Sequence, residues 1–163
     1  MHEAKSMDHS TVIDLASEAA TAALAGVLAR LARAGDIFAL AGELGAGKSV
    51  FARAFINELA PNPEEIPSPT FTLVQAYDLG RVTVYHFDLF RLAGPDEVFE
   101  LGIEEAFAGG ISLIEWPDRL GRLLPRDHLW LSLAHGGDAN SRRATLTGHG
   151  NWAGRLKEAD IDV

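Results

Sequence analysis

Eight residues, Gly42-Glu-Leu-Gly-Ala-Gly-Lys48-Ser49, constrain this chain more than any others. They fit the phosphate-loop pattern G-x-x-x-x-G-K-[ST], and their surroundings fit it too. The apolar run Ile37-Phe-Ala-Leu-Ala41 precedes them, with the weak alternation of a strand buried on both faces. Behind them Phe51, Phe55 and Leu59 recur at four-residue spacing, which predicts a helix over Lys48 to Leu59. Gly42, Gly45 and Gly47, with Ala46 between the last two, allow backbone angles that turn N–H groups toward one anion. The helix N-terminus adds a partial positive charge. Lys48 supplies a mobile full charge for β- and γ-phosphates, and Ser49 a hydroxyl for Mg²⁺. Lysine occurs only at Lys5, Lys48 and Lys157, so Lys48 is not part of a lysine-rich surface.

The rest of the chain alternates strands with helices, which predicts an α/β class and a single domain over 1–163. Thr11 to Leu15 reads as a strand after a flexible 1–10 segment. Ser17 reads as the N-cap of a helix that runs to Arg33 and starts with acidic Glu18. Residues 61–70, PNPEEIPSPT, hold four of the seven prolines and predict a defined loop. Phe71 to Tyr77 and Arg81 to Phe87 read as a hairpin around Asp78-Leu-Gly80. A short helix fits Pro95 to Leu101. Strands fit Ile111 to Ile114, Leu129 to Leu133 and Ala144 to Thr147, and a last helix fits Trp152 to Ala159 within the 150–163 tail.

Composition removes several function classes. A net charge of −9 argues against a protein that grips nucleic acid by itself, because phosphate contacts need clustered Lys and Arg. There is no apolar run of membrane-spanning length and no signal-peptide pattern at the N-terminus, so the expectation is a cytoplasmic protein without a membrane partner. The absence of cysteine excludes disulfides and thiolate metal sites.

A phosphate loop calls for a carboxylate at the end of a neighbouring strand to hold Mg²⁺, directly or through water. Asp88 ends VTVYHFD and Glu115 ends ISLIE, and either could instead cap the turn that follows it. His86 lies two residues from Asp88 on the same strand face. With no third clear ligand, it is expected to hydrogen-bond and not to ligate a transition metal. Arg91 is a candidate for γ-phosphate charge or for a local ion pair. Thr70, beside Pro69 at the end of the proline-rich loop, is a candidate γ-phosphate sensor.

Four blocks, GELGAGKS, SPTFTLVQAYD, VYHFDLFRL and LIEWPDRL, resemble the TsaE (YjeE) family in order and spacing, over roughly residues 11 to 133. The resemblance implies a P-loop NTPase-like three-layer α/β sandwich with a mixed, mainly parallel sheet. It implies ATP and Mg²⁺ as cofactors and slow hydrolysis. It implies work with the TsaD and TsaB subunits that place threonylcarbamoyl on adenosine 37 of ANN-decoding tRNAs, with tRNA met only through that complex. ATP turnover would reset the complex and not perform the transfer. Carried onto this chain, Gly45 to Ser49 hold phosphates, Ser49 and Glu115 hold Mg²⁺, and Thr70 belongs to a switch-like loop. Asp88 is needed for activity, Glu18 contacts nucleotide, and Trp116 lies beside the site.

Two positions depart from the family pattern. Ser49 replaces threonine, keeping the hydroxyl, and Phe90 replaces tyrosine, losing a phenol. The segment after His135 aligns loosely, so no nucleotide contact between Asp138 and Arg142 is assigned. The competing readings are a small-molecule kinase, a GTPase-type switch and a structural protein with a vestigial loop. Against them stand a strand and helix ahead of the loop, the lack of an arginine-rich lid or an N-K-x-D segment, and intact Lys48, Ser49 and Glu115.

Overall fold

Residues 8–62, 73–161 and 163 are described by the structure, a computed structural model. Alternation builds the first element: Ser10, Val12 and Asp14 of β1 (His9–Leu15) face solvent while the intervening residues turn inward. His9 and Ser10 therefore belong to a strand and not to a flexible leader. Ser17 caps α1 (Glu18–Leu31), its Oγ accepting the Ala20 N–H at 3.2 Å. The helix ends before Arg33, whose N–H donates instead to Asp36 Oδ2 at 2.7 Å. There follow β2 (Ile37–Ala41), α2 (Lys48–Leu59), β3 (Val74–Asp78) and β4 (Thr83–Asp88). Then come α3 (Ile103–Gly109), β5 (Ile111–Glu115), β6 (His128–His135), β7 (Arg142–His149) and α4 (Trp152–Glu158). Pro95–Leu101, expected as a helix, is a 3₁₀ segment. Helix α3 and a second 3₁₀ segment, Pro117–Leu123, were not expected; both are too short to show a helical period.

Among the described residues seven strands join one sheet in the order β1-β7-β6-β2-β5-β4-β3. The sheet is mixed, as expected. Parallel pairing is confined to the central β6-β2-β5-β4 block and makes up three of the six pairings, not most of them. The hairpin forms with Asp78 opposite Thr83, and Asp78 Oδ1 accepts the Gly80 N–H at 3.1 Å.

Helices cover both faces. On one, Leu24, Leu28, Phe51, Phe55 and Trp152 pack against Phe38, Leu40, Leu131 and Leu146. On the other, Val98, Ile103, Ala106 and Leu120 pack against Ile37, Phe87 and Ile114. Phe38 meets Phe55 and Trp152 edge-on at 5.0 and 5.4 Å, which locks β2, the strand that feeds the phosphate loop, beneath α2 and α4. Each such buried aromatic contributes roughly 2–3 kcal/mol. Among the described residues no helix is long and apolar enough to cross a membrane.

Candidate nucleotide site

Strand β2 ends at Ala41, and the loop that follows returns the chain to α2 at Lys48. Two glycines carry that return. Gly42 takes φ 141°, and a Cβ there would lie 2.5 Å from the Leu133 carbonyl oxygen, so only glycine fits between the loop and β6. Gly47, at φ 107°, is the left-handed N-cap of α2. It has no side chain to satisfy the first helical N–H groups, which leaves them for a ligand.

Register sets the acidic side of the site. In the parallel ladders Glu115 lies opposite both Leu40 and Asp88. The two carboxylates therefore emerge together at the C-terminal strand ends, level with Leu40, two residues before Gly42. Glu115 is nearly buried and accepts the His86 Nε2–H at 2.7 Å. Asp88 is exposed, and its Oδ1 accepts the Phe90 N–H at 3.2 Å, so it caps the turn as well as facing the site. Ser49 is exposed on the first turn of α2.

Lys48 is buried, and its Nζ donates to the Gly42 carbonyl at 2.5 Å. The same ammonium lies 3.6 Å from the centroid of the Trp116 ring. Burial pushes the Lys48 pKa down, while the carboxylates of Glu115, Asp88 and Asp118 pull it back up. Trp116 takes left-handed angles, φ 61° and ψ 52°, although it precedes Pro117, a placement sterically disfavoured twice over. That turn swings the indole from the end of β5 across Lys48 and against Phe90, whose ring centroid is 4.9 Å away.

On the other side of the loop is a cavity of about 540 Å³, bounded by Leu15, Ala16, Ala134, Gly136, Ser141 and Arg142 among others. Arg142 joins it to the loop. Its Nε donates to the Ala46 carbonyl at 2.9 Å and one Nη to the Gly45 carbonyl at 3.1 Å. The sequence contained a trace of this in the polar turn and arginine pair of GGDANSRR, but no spacing rule connects residue 142 to residue 46.

The expected site residues thus fall into three groups. Gly42, Gly45, Ala46, Gly47, Lys48 and Ser49 form the loop, with Asp88 and Glu115 beside it. Glu18 opens α1 with an exposed side chain that makes no hydrogen bond or ion pair among the described residues; it lies two residues beyond Ala16 at the cavity wall. Thr70 lies outside the described residues. Arg91 is exposed and pairs with no carboxylate among them.

Residues 15–144 match the family described as Threonylcarbamoyl adenosine biosynthesis protein TsaE. The chain belongs to the TsaE family. It is 46% identical over 110 residues to a tRNA threonylcarbamoyladenosine biosynthesis protein TsaE of Rickettsia conorii, a match covering 68% of this chain and 63% of the relative. The same-named protein of Bacillus subtilis is 37% identical over 132 residues, covering 80% and 81%. That of a Nostoc species is 38% identical over 146 residues, covering 86% and 88%. The crystal structure of Bacillus subtilis YdiB superimposes with a TM-score of 0.75 at 29% identity, over 93% of this chain and 95% of that one.

Proposed function

We propose that this TsaE-family chain binds ATP with Mg²⁺ and hydrolyses it in support of threonylcarbamoyladenosine formation at position 37 of tRNA, together with TsaD and TsaB. The observation that carries the reading is the convergence, on one loop, of a buried lysine, a helix N-terminus and two strand-end carboxylates. The donor set fits a hard cation: the Ser49 hydroxyl and carboxylate oxygens of Glu115 or Asp88, completed by phosphate and water. When bound, Mg²⁺ neutralises charge on the phosphate oxygens and orients them.

The chain's own groups divide the remaining work. The N–H groups at the α2 terminus hold the β-phosphate side of the ligand, and Lys48 turns from the Gly42 carbonyl and Trp116 to the phosphates. His86 holds one oxygen of Glu115, leaving the other for the metal. Asp88 stands where it can orient the attacking water. The cavity beside Arg142 has the size and mixed polarity to take base and ribose. On this reading the free protein hydrolyses ATP slowly and the partner complex stimulates it.

The test is ATP hydrolysis by the purified protein, alone and with TsaB and TsaD, with Lys48→Ala as control. Stimulation by the pair that is lost in the variant supports the reading. Fast turnover indifferent to the pair returns the kinase reading, and preference for GTP in calorimetry returns the switch reading.

A further inference from the structure

Arg142 uses its guanidinium in a way that nucleotide contact does not explain. Besides its bonds to Ala46 and Gly45, its other Nη donates to the carbonyls of Ala139 and Ser141, each at 2.8 Å. Four carbonyls from two segments far apart in sequence meet one planar fork, and no carboxylate pairs with it among the described residues. The neighbouring arginine behaves differently: Arg143 is exposed and pairs with exposed Asp14 at 2.8 Å.

The effect on the loop follows from the planarity of the peptide. In a trans peptide the carbonyl of one residue and the N–H of the next point in opposite directions. Holding the Gly45 carbonyl toward β7 turns the Ala46 N–H away from it, where it donates to the Glu43 carbonyl at 3.1 Å and closes the turn. Holding the Ala46 carbonyl the same way turns the Gly47 N–H toward the phosphate side. Gly47 itself packs on the arginine, a Cβ there lying 3.7 Å from Nε.

We infer that Arg142 is a positioning residue for the phosphate loop: it draws the Gly45 and Ala46 carbonyls away from the anion, aims the Gly47 N–H at it, and ties the loop to the turn that walls the neighbouring cavity. The inference rests on the nucleotide reading above and deepens it. The role requires the fork. A lysine at this position keeps the charge but cannot hold four carbonyls in one plane.

The experiment is calorimetry with two ligands, ADP and inorganic tripolyphosphate, the second lacking base and ribose. The proteins are the wild type, Arg142→Gln, Arg142→Lys and, as a charge-loss control remote from the loop, Arg30→Ala. The expected result is that both Arg142 variants weaken ADP and tripolyphosphate by the same factor, on the order of tenfold or more, while Arg30→Ala changes neither. Hydrogen exchange of the ligand-free protein gives a readout that needs no binding: residues 42–50 exchange about tenfold faster in Arg142→Gln, while β6 keeps its protection. An ADP affinity that falls while tripolyphosphate affinity holds would make Arg142 a base or ribose contact and overturn the inference. Unchanged affinities with unchanged loop exchange would overturn it too. A wild-type protein that binds neither ligand overturns the nucleotide reading itself, and with it the role of Arg142.

Discussion

Glu115 is the residue whose surroundings say most. Nearly buried at a strand end and bonded to His86, it has one carboxylate oxygen already committed. His86→Ala should therefore leave ADP affinity without Mg²⁺ unchanged and reduce the gain produced by Mg²⁺ about tenfold, as loss of an outer-shell partner does. Calorimetry with and without the metal checks this, and His86→Gln, which can still donate, should restore part of the gain. Asp88 is exposed, and among the described residues its side chain hydrogen-bonds only to the Phe90 N–H, so its removal costs little fold. Asp88→Ala should keep ADP affinity within about threefold of wild type while partner-stimulated hydrolysis falls by about a hundredfold or more. A wild-type rate in the reconstituted complex would refute its part in turnover. Both carboxylates could be read from apolar runs ending in an acid. Their adjacency could not, because it depends on the register between β4 and β5.

The elements were legible where a period or a cap was long enough to register. Ser17 marked the start of α1, and Phe51, Phe55 and Leu59 marked α2. Strands β6 and β7 extend beyond the expected Leu129–Leu133 and Ala144–Thr147 because antiparallel pairing holds their polar ends, from His128 opposite His149 to His135 opposite Arg142. Hydrophobicity reports a core; it does not report a ladder that continues past the core's edge. In β5 a second polar side chain besides Glu115 is buried. Ser112 is fully buried, and its Oγ has no hydrogen-bond partner among the described residues. Ser112→Ala removes an unpaired hydroxyl with little loss of volume, so stability should hold or rise by up to about 1 kcal/mol. Chemical denaturation measures it, and a loss of more than about 1 kcal/mol would mean the hydroxyl has a partner such as buried water.

For the molecule as a whole, the site lies at one end of the sheet and a pair of histidines at the other. His128 opens β6, is nearly buried and donates from Nδ1 to the Pro125 carbonyl at 2.8 Å. Its ring stacks on His149 at 4.6 Å, and His149 pairs with Asp8 at 3.3 Å. Burial pushes the His128 pKa below its ordinary value, the Pro125 bond pulls upward, and charge on His149 pushes down again. The folded protein thus resists a proton that the unfolded chain accepts near pH 6.5. Stability present above that pH is lost as pH falls through the lowered pKa. Urea midpoints should drop from about pH 6.5 downward, with a shallower slope in His128→Phe, and equal slopes would dismiss the group. The molecule's charge is also uneven. From Leu92 to Asp118 there are seven acidic residues and no Lys, Arg or His, so the layer built by α3 and its preceding 3₁₀ segment repels a phosphate backbone. The proposed meeting with tRNA through partner subunits agrees with that field.

By itself the sequence determined the loop, the helix behind it, the α/β class and the identity of the polar groups available to a phosphate. These are local facts, set by glycine spacing, a 3.6-residue period and strand-end acids over windows of a few residues. Tertiary structure alone decided the rest. It placed β6 and β7 beside β2, so that Arg142 reaches the carbonyls of Gly45 and Ala46. It set Glu115 against His86, and through a disfavoured backbone turn it laid Trp116 over Lys48. Each of these contacts spans at least 29 residues or an unfavourable conformation, and chain-local preferences carry no information about which distant strand becomes a neighbour.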